Sequence, residues 1–285
     1  MRSSEKTVTA LGLTILLVCW LSVGVIQAQQ RTVAIPSESG DLVHFSYATL
    51  LGTGIYKLDD RTVTIFRIPL GWTLRDSTPE KFGINLNLPV AVGFFDYEAL
   101  DDLIPLGDQL STVSAVPGIE LEYLIGDWRV APAVYLGAGH DTTNSNTSVI
   151  YGGGISAVRP LKISYPEMNF GTSLLLSGYE PDQGEGDFIT RWSAGFDAIF
   201  PTKWKYGNRS IFVGGHAIGY LYLNKLQFRT IADTLIEIPG ELEIGVFIGA
   251  RPEPKIFGLK INRLGIGYRF SERSDALVFF AGFPF

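Results

Sequence analysis

The chain has 285 residues, of which 18 % are charged, 46 % are hydrophobic and 32 are glycine. Soluble proteins carry about 25 % charged residues, so this chain is short of charge but rich enough in apolar groups to exclude disorder. With 23 Lys+Arg against 29 Asp+Glu the net charge is −6 at pH 7, which leaves no basic surface for phosphates and excludes a nucleic-acid binder.

Residues 1–28 divide into a polar start with Arg2 and Lys6, an apolar run from Leu11 to Val25, and Gln27-Ala28 before a polar stretch. This is the pattern of a secretory signal peptide, with cleavage expected after Ala28. An apolar run of about 15 residues falls short of the roughly 20 that a membrane-spanning helix needs. Removal takes away Arg2, Lys6 and Glu5, moving the net charge from −6 to −7. It also takes the sole cysteine, Cys19, so the exported chain is expected to have no disulfide, thiol nucleophile or cysteine metal ligand. Val18 is too bulky for the position before a lipid-modified cysteine. Residues 29–41 are expected to form a short periplasmic or plug segment.

Past residue 30 no stretch approaches 18 consecutive apolar residues, which excludes a helical membrane protein. Alternation with a period of two takes over. Phe66, Ile68, Leu70, Trp72 and Leu74 alternate with Arg67, Pro69, Gly71 and Thr73, and the same pattern recurs to the end of the chain. Twelve strands are predicted near residues 42–56, 62–75, 83–95, 111–125, 128–139, 148–159, 165–178, 187–200, 209–222, 237–250, 256–270 and 275–285. The first alternates poorly. Strands of roughly 10 to 14 residues exceed the usual 5 to 6 of soluble sheets, and tilted by about 40° they span the roughly 25 Å apolar band of an outer-membrane barrel. The fold expected is therefore all-β, a transmembrane antiparallel up-and-down barrel over residues 42–285. A soluble barrel with a ligand cavity would turn its oily face inward instead.

Tight connections such as Gly126-Asp127 and Arg159 to Ile163 fall on one predicted side, taken as periplasmic. Longer polar connections near 96–110, 140–147, 180–187 and 224–236 fall on the other. Aromatic residues gather at both rims, Trp72, Tyr123, Trp128, Phe200 and Phe285 on the periplasmic side and Phe94, Trp192, Tyr268 and Phe270 on the outer side, as membrane–water interfaces favour. Leu277, Phe279, Ala281, Phe283 and Phe285 share one parity and end the chain on an aromatic residue. This resembles the C-terminal signal by which bacterial outer-membrane barrels are recognised for insertion, which makes the barrel-assembly machinery an expected partner.

The opposite parity places Glu120, Glu122, Arg129, Tyr135, Arg191, Asp197, His216, Glu241, Glu243 and Arg269 toward the lumen. Both charge signs occur there, so two readings are open: a salt-bridge network filling a narrow barrel, or a selective channel. An enzymatic alternative is a hydrolase at the outer rim, with His140 as base and Asp141 as its orienter. No serine motif accompanies that pair, the Gly152-Gly153-Gly154 run lacks the helix of a phosphate loop, and no metal spacing appears. The expectation is a non-enzyme with no cofactor and no metal.

Trp128-Arg129-Val130-Ala131-Pro132 to Gly139, Asn169-Phe170-Gly171-Thr172-Ser173-Leu174 to Tyr179, Arg263 to Phe270 and the terminal Gly282-Phe283-Pro284-Phe285 resemble the solitary outer-membrane autotransporter-type β-barrel family of Gram-negative bacteria. The resemblance implies a twelve-stranded barrel. Only about a dozen residues separate Gln29 from the first predicted strand, which leaves no room for a passenger domain. What it implies for function is an integral outer-membrane barrel acting as a narrow, porin-like pore or as a structural or surface protein. The partners expected are outer-membrane lipid, lipopolysaccharide and small solutes.

Overall fold

The computed structural model describes residues 50–58, 61–95, 112–142, 145–183, 186–229, 235–256 and 259–285. The expected signal segment with Cys19, the 29–41 segment and the loop at 96–110 lie outside them. Fifteen strands follow in chain order: β1 (Thr53–Leu58), β2 (Arg61–Arg75), β3 (Gly83–Phe95), β4 (Thr112–Ala115), β5 (Gly118–Ile125), β6 (Trp128–Asp141), β7 (Asn146–Leu161), β8 (Glu167–Pro181), β9 (Asp187–Tyr206), β10 (Arg209–Arg229), β11 (Leu235–Arg251), β12 (Lys255–Ile256), β13 (Leu259–Lys260), β14 (Arg263–Phe270) and β15 (Ser274–Ala281).

Neighbours pair antiparallel around the wall, and β1 closes it against β15 from Thr53↔Phe279 to Leu58↔Ser274. β4 and β5 share one place, both lying between β3 and β6. They are separated at Val116-Pro117, where proline has no N–H for the ladder. The wall stays continuous because the Val116 N–H donates to the Pro89 carbonyl and the Leu136 N–H to the Pro117 carbonyl. β12 and β13 form a separate two-stranded hairpin. The result is a closed up-and-down barrel with twelve wall positions.

Two predicted strands differ from those observed. The first begins at Thr53 rather than residue 42, and Leu50 and Leu51 are buried among Tyr56, Val63, Ile65, Ile189, Tyr222, Ile238, Ala276 and Val278. Those neighbours come from strands spread around the wall, so Leu50 and Leu51 lie inside the barrel, where alternation has no meaning. The strand predicted at 256–270 is shorter, because the β12–β13 hairpin intervenes before Arg263. Tight turns at Gly126 and Gly207 use positive φ, +59° and +60°, which glycine adopts without a side-chain clash.

Alternation sorts the residues inside out. Val134 is 65 % and Val246 61 % exposed on the outer surface, whereas Asp197 is 1 %, Glu243 3 % and Arg269 5 % exposed within. In water such a surface would leave far more contiguous apolar area uncovered than a monomer tolerates. On β2 the exposed apolar run from Phe66 to Leu74 rises about 20 Å at the tilt of a barrel strand, most of the depth of an outer-membrane apolar band.

Candidate functional site

The inward side chains form a layered interior. Its most heavily bonded member is Glu243 on β11, which lies directly opposite Arg269 on β14. One carboxylate oxygen accepts from Arg269 Nε at 3.0 Å, from Nη2 at 2.8 Å and from the Tyr220 hydroxyl at 3.0 Å. The other lies 2.8 Å from His216 Nε2. Two residues along β11, Glu241 accepts from the Tyr222 hydroxyl at 2.7 Å and from Ser274 Oγ at 3.0 Å, with Arg269 Nη1 at 3.7 Å. The Arg269 guanidinium lies 4.2 Å over the Tyr220 ring, and Arg191 lies 5.0 Å from the same ring. Arg191 also donates to the carbonyl of Leu50, tying the chain inside the barrel to its wall.

An aromatic layer adjoins this network. Phe280 lies 4.6 Å from the His216 ring and 6.5 Å from Phe247, which in turn lies 6.4 Å from Phe212. These rings have room because β14 offers Gly265, where a Cβ would come 2.2 Å from Phe280. Beyond them Asp197 accepts from the Asn169 backbone N–H at 3.1 Å, from Asn169 Nδ2 at 2.7 Å and from Arg263 Nη1. Arg263 also covers the Phe247 ring at 4.4 Å. Asp197 is thus paired with Arg263, and Glu241 and Glu243 share Arg269.

Glu120, Glu122 and Arg129 lie elsewhere in the lumen, along a polar chamber of about 390 Å³ that Thr73, Asn85, Asn87, Ser156 and Asn262 also line. Asn85 Nδ2 donates to Glu120 at 3.0 Å, Ser77 donates to Glu122, and Arg129 Nε stands 3.7 Å from Glu122. Tyr135 reaches along the inner wall past Gly152 and donates to the Leu176 carbonyl at 2.5 Å. The sequence-derived inward set therefore splits between the chamber and the ion network, with Tyr135 against the wall. Sequence reasoning missed Tyr220, Tyr222 and Arg263. Each carried a usable signal: Tyr220 and Tyr222 share the parity of His216, and Arg263 that of Arg269.

The chain end departs from its predicted placement. Leu277 and Phe279 are exposed on the outer face, but β15 stops at Ala281 and Gly282 takes φ +91°. Phe283 and Phe285 then turn into the barrel, stacked edge-on at 4.9 Å, against Gly171 on β8. A Cβ on that glycine would lie 2.4 Å from the Phe285 ring. Parity holds only while the ladder continues, and the glycine ends it. Phe285 accordingly lines the chamber and is absent from the periplasmic girdle.

His140 and Asp141 occupy successive positions of β6 and so point to opposite faces. His140 is exposed, with Nδ1 3.1 Å from Thr147 Oγ1, while Asp141 is buried. The pair cannot act as base and orienter in this arrangement. Among the described residues no group of three His, Cys, Asp or Glu is placed to hold a metal ion.

No family model matches the chain, and no curated protein matches it. Among solved structures it is similar to the crystal structure of the beta domain of the Bordetella autotransporter BrkA, with a TM-score of 0.42 and 11 % identity over 81 % of this chain and 96 % of that one.

Proposed function

We propose that this protein is an integral barrel of the bacterial outer membrane whose lumen is sealed by its own side chains, and that it serves as a non-enzymatic structural or surface scaffold. The observation that carries the reading is the bonded network of His216, Tyr220, Tyr222, Glu241, Glu243 and Arg269. It draws on β10, β11 and β14 and lies beside Leu50 and Leu51 within the lumen. Ions passing through would have to displace buried, mutually bonded charges, each costing several kcal/mol to separate from its partner. The apolar outer face supplies the complementary argument, since lipid is the solvent in which exposed valine and leucine at mid-wall cost nothing.

The test is conductance of the purified, refolded protein in a planar lipid bilayer. Insertion without current steps is the expected result, and a variant removing Arg269 and Glu243 together is expected to open transient steps. Discrete, regular steps from the unmodified protein would overturn the sealed reading in favour of a narrow pore, for which the polar chamber is the supporting feature. Retention of the protein in the membrane fraction after carbonate extraction checks the membrane assignment itself.

A further inference from the structure

β9 runs on beyond its neighbour β8, while β10 stays paired with β11 as far as Ser210↔Arg251. The pairing of β8 with β9 ends at Glu167↔Ile199, yet β9 continues to Tyr206 and turns through Gly207-Asn208 into β10. This hairpin carries Trp204, 65 % exposed, and Tyr206, 75 % exposed. It extends a row of rings on the outer wall, in which Trp128 meets Phe170, Phe170 meets Phe196, and Tyr165 meets Phe200 at 5.9 Å. The row ends where β9 outruns β8.

The same seven-residue stretch holds Lys203, Lys205 and Arg209, none of which makes an ion pair among the described residues. The carboxylate that β8 brings closest in register, Glu167, is already held by Arg251 at 2.8 Å. Three unmatched cations on one hairpin of a chain whose net charge is −6 are opposite in sign to the molecule that bears them.

We propose that the β9–β10 hairpin is a docking site for the headgroup of an anionic phospholipid in the periplasmic leaflet. Arg209, which pairs with Tyr206 and shares its face, meets the phosphate while Trp204 and Tyr206 pack beside the glycerol, and Lys203 and Lys205 add their positive field from the other face of the hairpin. The assignment rests on the membrane reading above. Aromatic side chains with a polar tip favour the interface of any bilayer, so the rings fix depth alone. The three cations add selectivity, because each basic group at an anionic surface strengthens binding severalfold. A preference of the order of tenfold to a hundredfold for an anionic over a zwitterionic lipid follows.

The experiment uses two forms of the protein, each with a single tryptophan in the barrel, Trp204 or Trp192, in phosphatidylcholine vesicles. A small fraction of brominated phosphatidylglycerol or brominated phosphatidylcholine is the quencher. Trp204 is expected to be quenched at least tenfold more effectively by the anionic lipid, less so as salt rises, and equally by the two lipids in the K203Q/K205Q/R209Q variant. Trp192, on the lipid-facing wall away from the hairpin, is expected to respond to both lipids alike. Equal quenching of Trp204 by both lipids, no change in the triple variant, or full competition by millimolar inorganic phosphate would overturn the proposal. If neither tryptophan is quenched by either lipid, the membrane reading fails with it; if Trp192 alone is quenched, only the docking site fails.

Discussion

Replacing Arg269 with methionine removes the cation from the best-bonded part of the lumen while preserving much of its volume. The guanidinium makes two hydrogen bonds to one Glu243 oxygen, at 3.0 and 2.8 Å, and stands over Tyr220 at 4.2 Å. Hydrogen bonds to charged groups contribute about 1.5–3 kcal/mol each. Breaking a buried pair, with one charge left uncompensated, costs about 3–5 kcal/mol. The two routes converge on a loss of about 4 kcal/mol. Urea unfolding of the protein in lipid vesicles, followed by the gel mobility of folded and unfolded barrel, gives the value. Replacing Glu243 with methionine in the same chain is expected to recover more than half of the loss, because removing both partners lifts the penalty for an unpaired charge. A loss below about 1 kcal/mol for R269M, the range of a surface ion pair, would mean that water already solvates these groups. So would strictly additive effects of the two substitutions, and either result would refute the sealed lumen.

Gly171→Leu places a side chain where the Phe285 ring packs, with the first added carbon 2.4 Å from that ring. The expected outcome is expulsion of the last residues without loss of the barrel, read as faster release of Phe285 by carboxypeptidase; unchanged protection would refute the inward placement. Val246→Arg puts a charge on the exposed outer wall of β11 and is expected to cost about 2–4 kcal/mol in a bilayer, against a few tenths for Val246→Leu. Equal stability of the two variants in vesicles would show that this face meets water.

The wall was legible in the sequence because a closed sheet between lipid and a charged interior makes every residue choose a side, and β11 shows the choice without a break from Glu241 to Ile248. The strand number followed from the spacing of these runs. What escaped depends on where the ladder stops. Leu50 and Leu51 are as apolar as any wall residue, yet they lie inside the barrel, and nothing in their sequence separates core from wall. Phe283 and Phe285 keep the parity of Phe279, but Gly282 lets the chain turn after β15, so the same spacing leads into the lumen. Partners within the lumen were hidden for another reason. Asp197 faces His216 across the β9–β10 ladder, yet His216 bonds Glu243 and Asp197 bonds Arg263. Parity gives the side of the wall, whereas long side chains choose among partners on several strands.

Closure sets a six-residue strand against a fifteen-residue neighbour. β1 meets β2 only from Gly54↔Ile65 to Leu58↔Arg61, although β2 continues to Arg75. In lipid an unsatisfied backbone group costs several kcal/mol, so the point where β1 leaves the wall needs a substitute for its missing backbone. Thr53 supplies it: Oγ1 donates to the Arg67 carbonyl and accepts from the Arg67 N–H, both at 2.9 Å. One hydroxyl thereby adds a rung where the paired backbone ends. Thr53→Val keeps the shape and removes both bonds, and is expected to cost about 2–4 kcal/mol, one desolvated donor and one acceptor at roughly 1–3 kcal/mol each less the polar group no longer buried. Thr53→Ser retains the hydroxyl and is expected to stay within about 1 kcal/mol of the unmodified protein. Hydrogen exchange at the Arg67 amide locates the effect, rising in T53V and not in T53S. Equal stability and equal exchange in the two variants would mean that the seam is held by the backbone pairs of β1 alone.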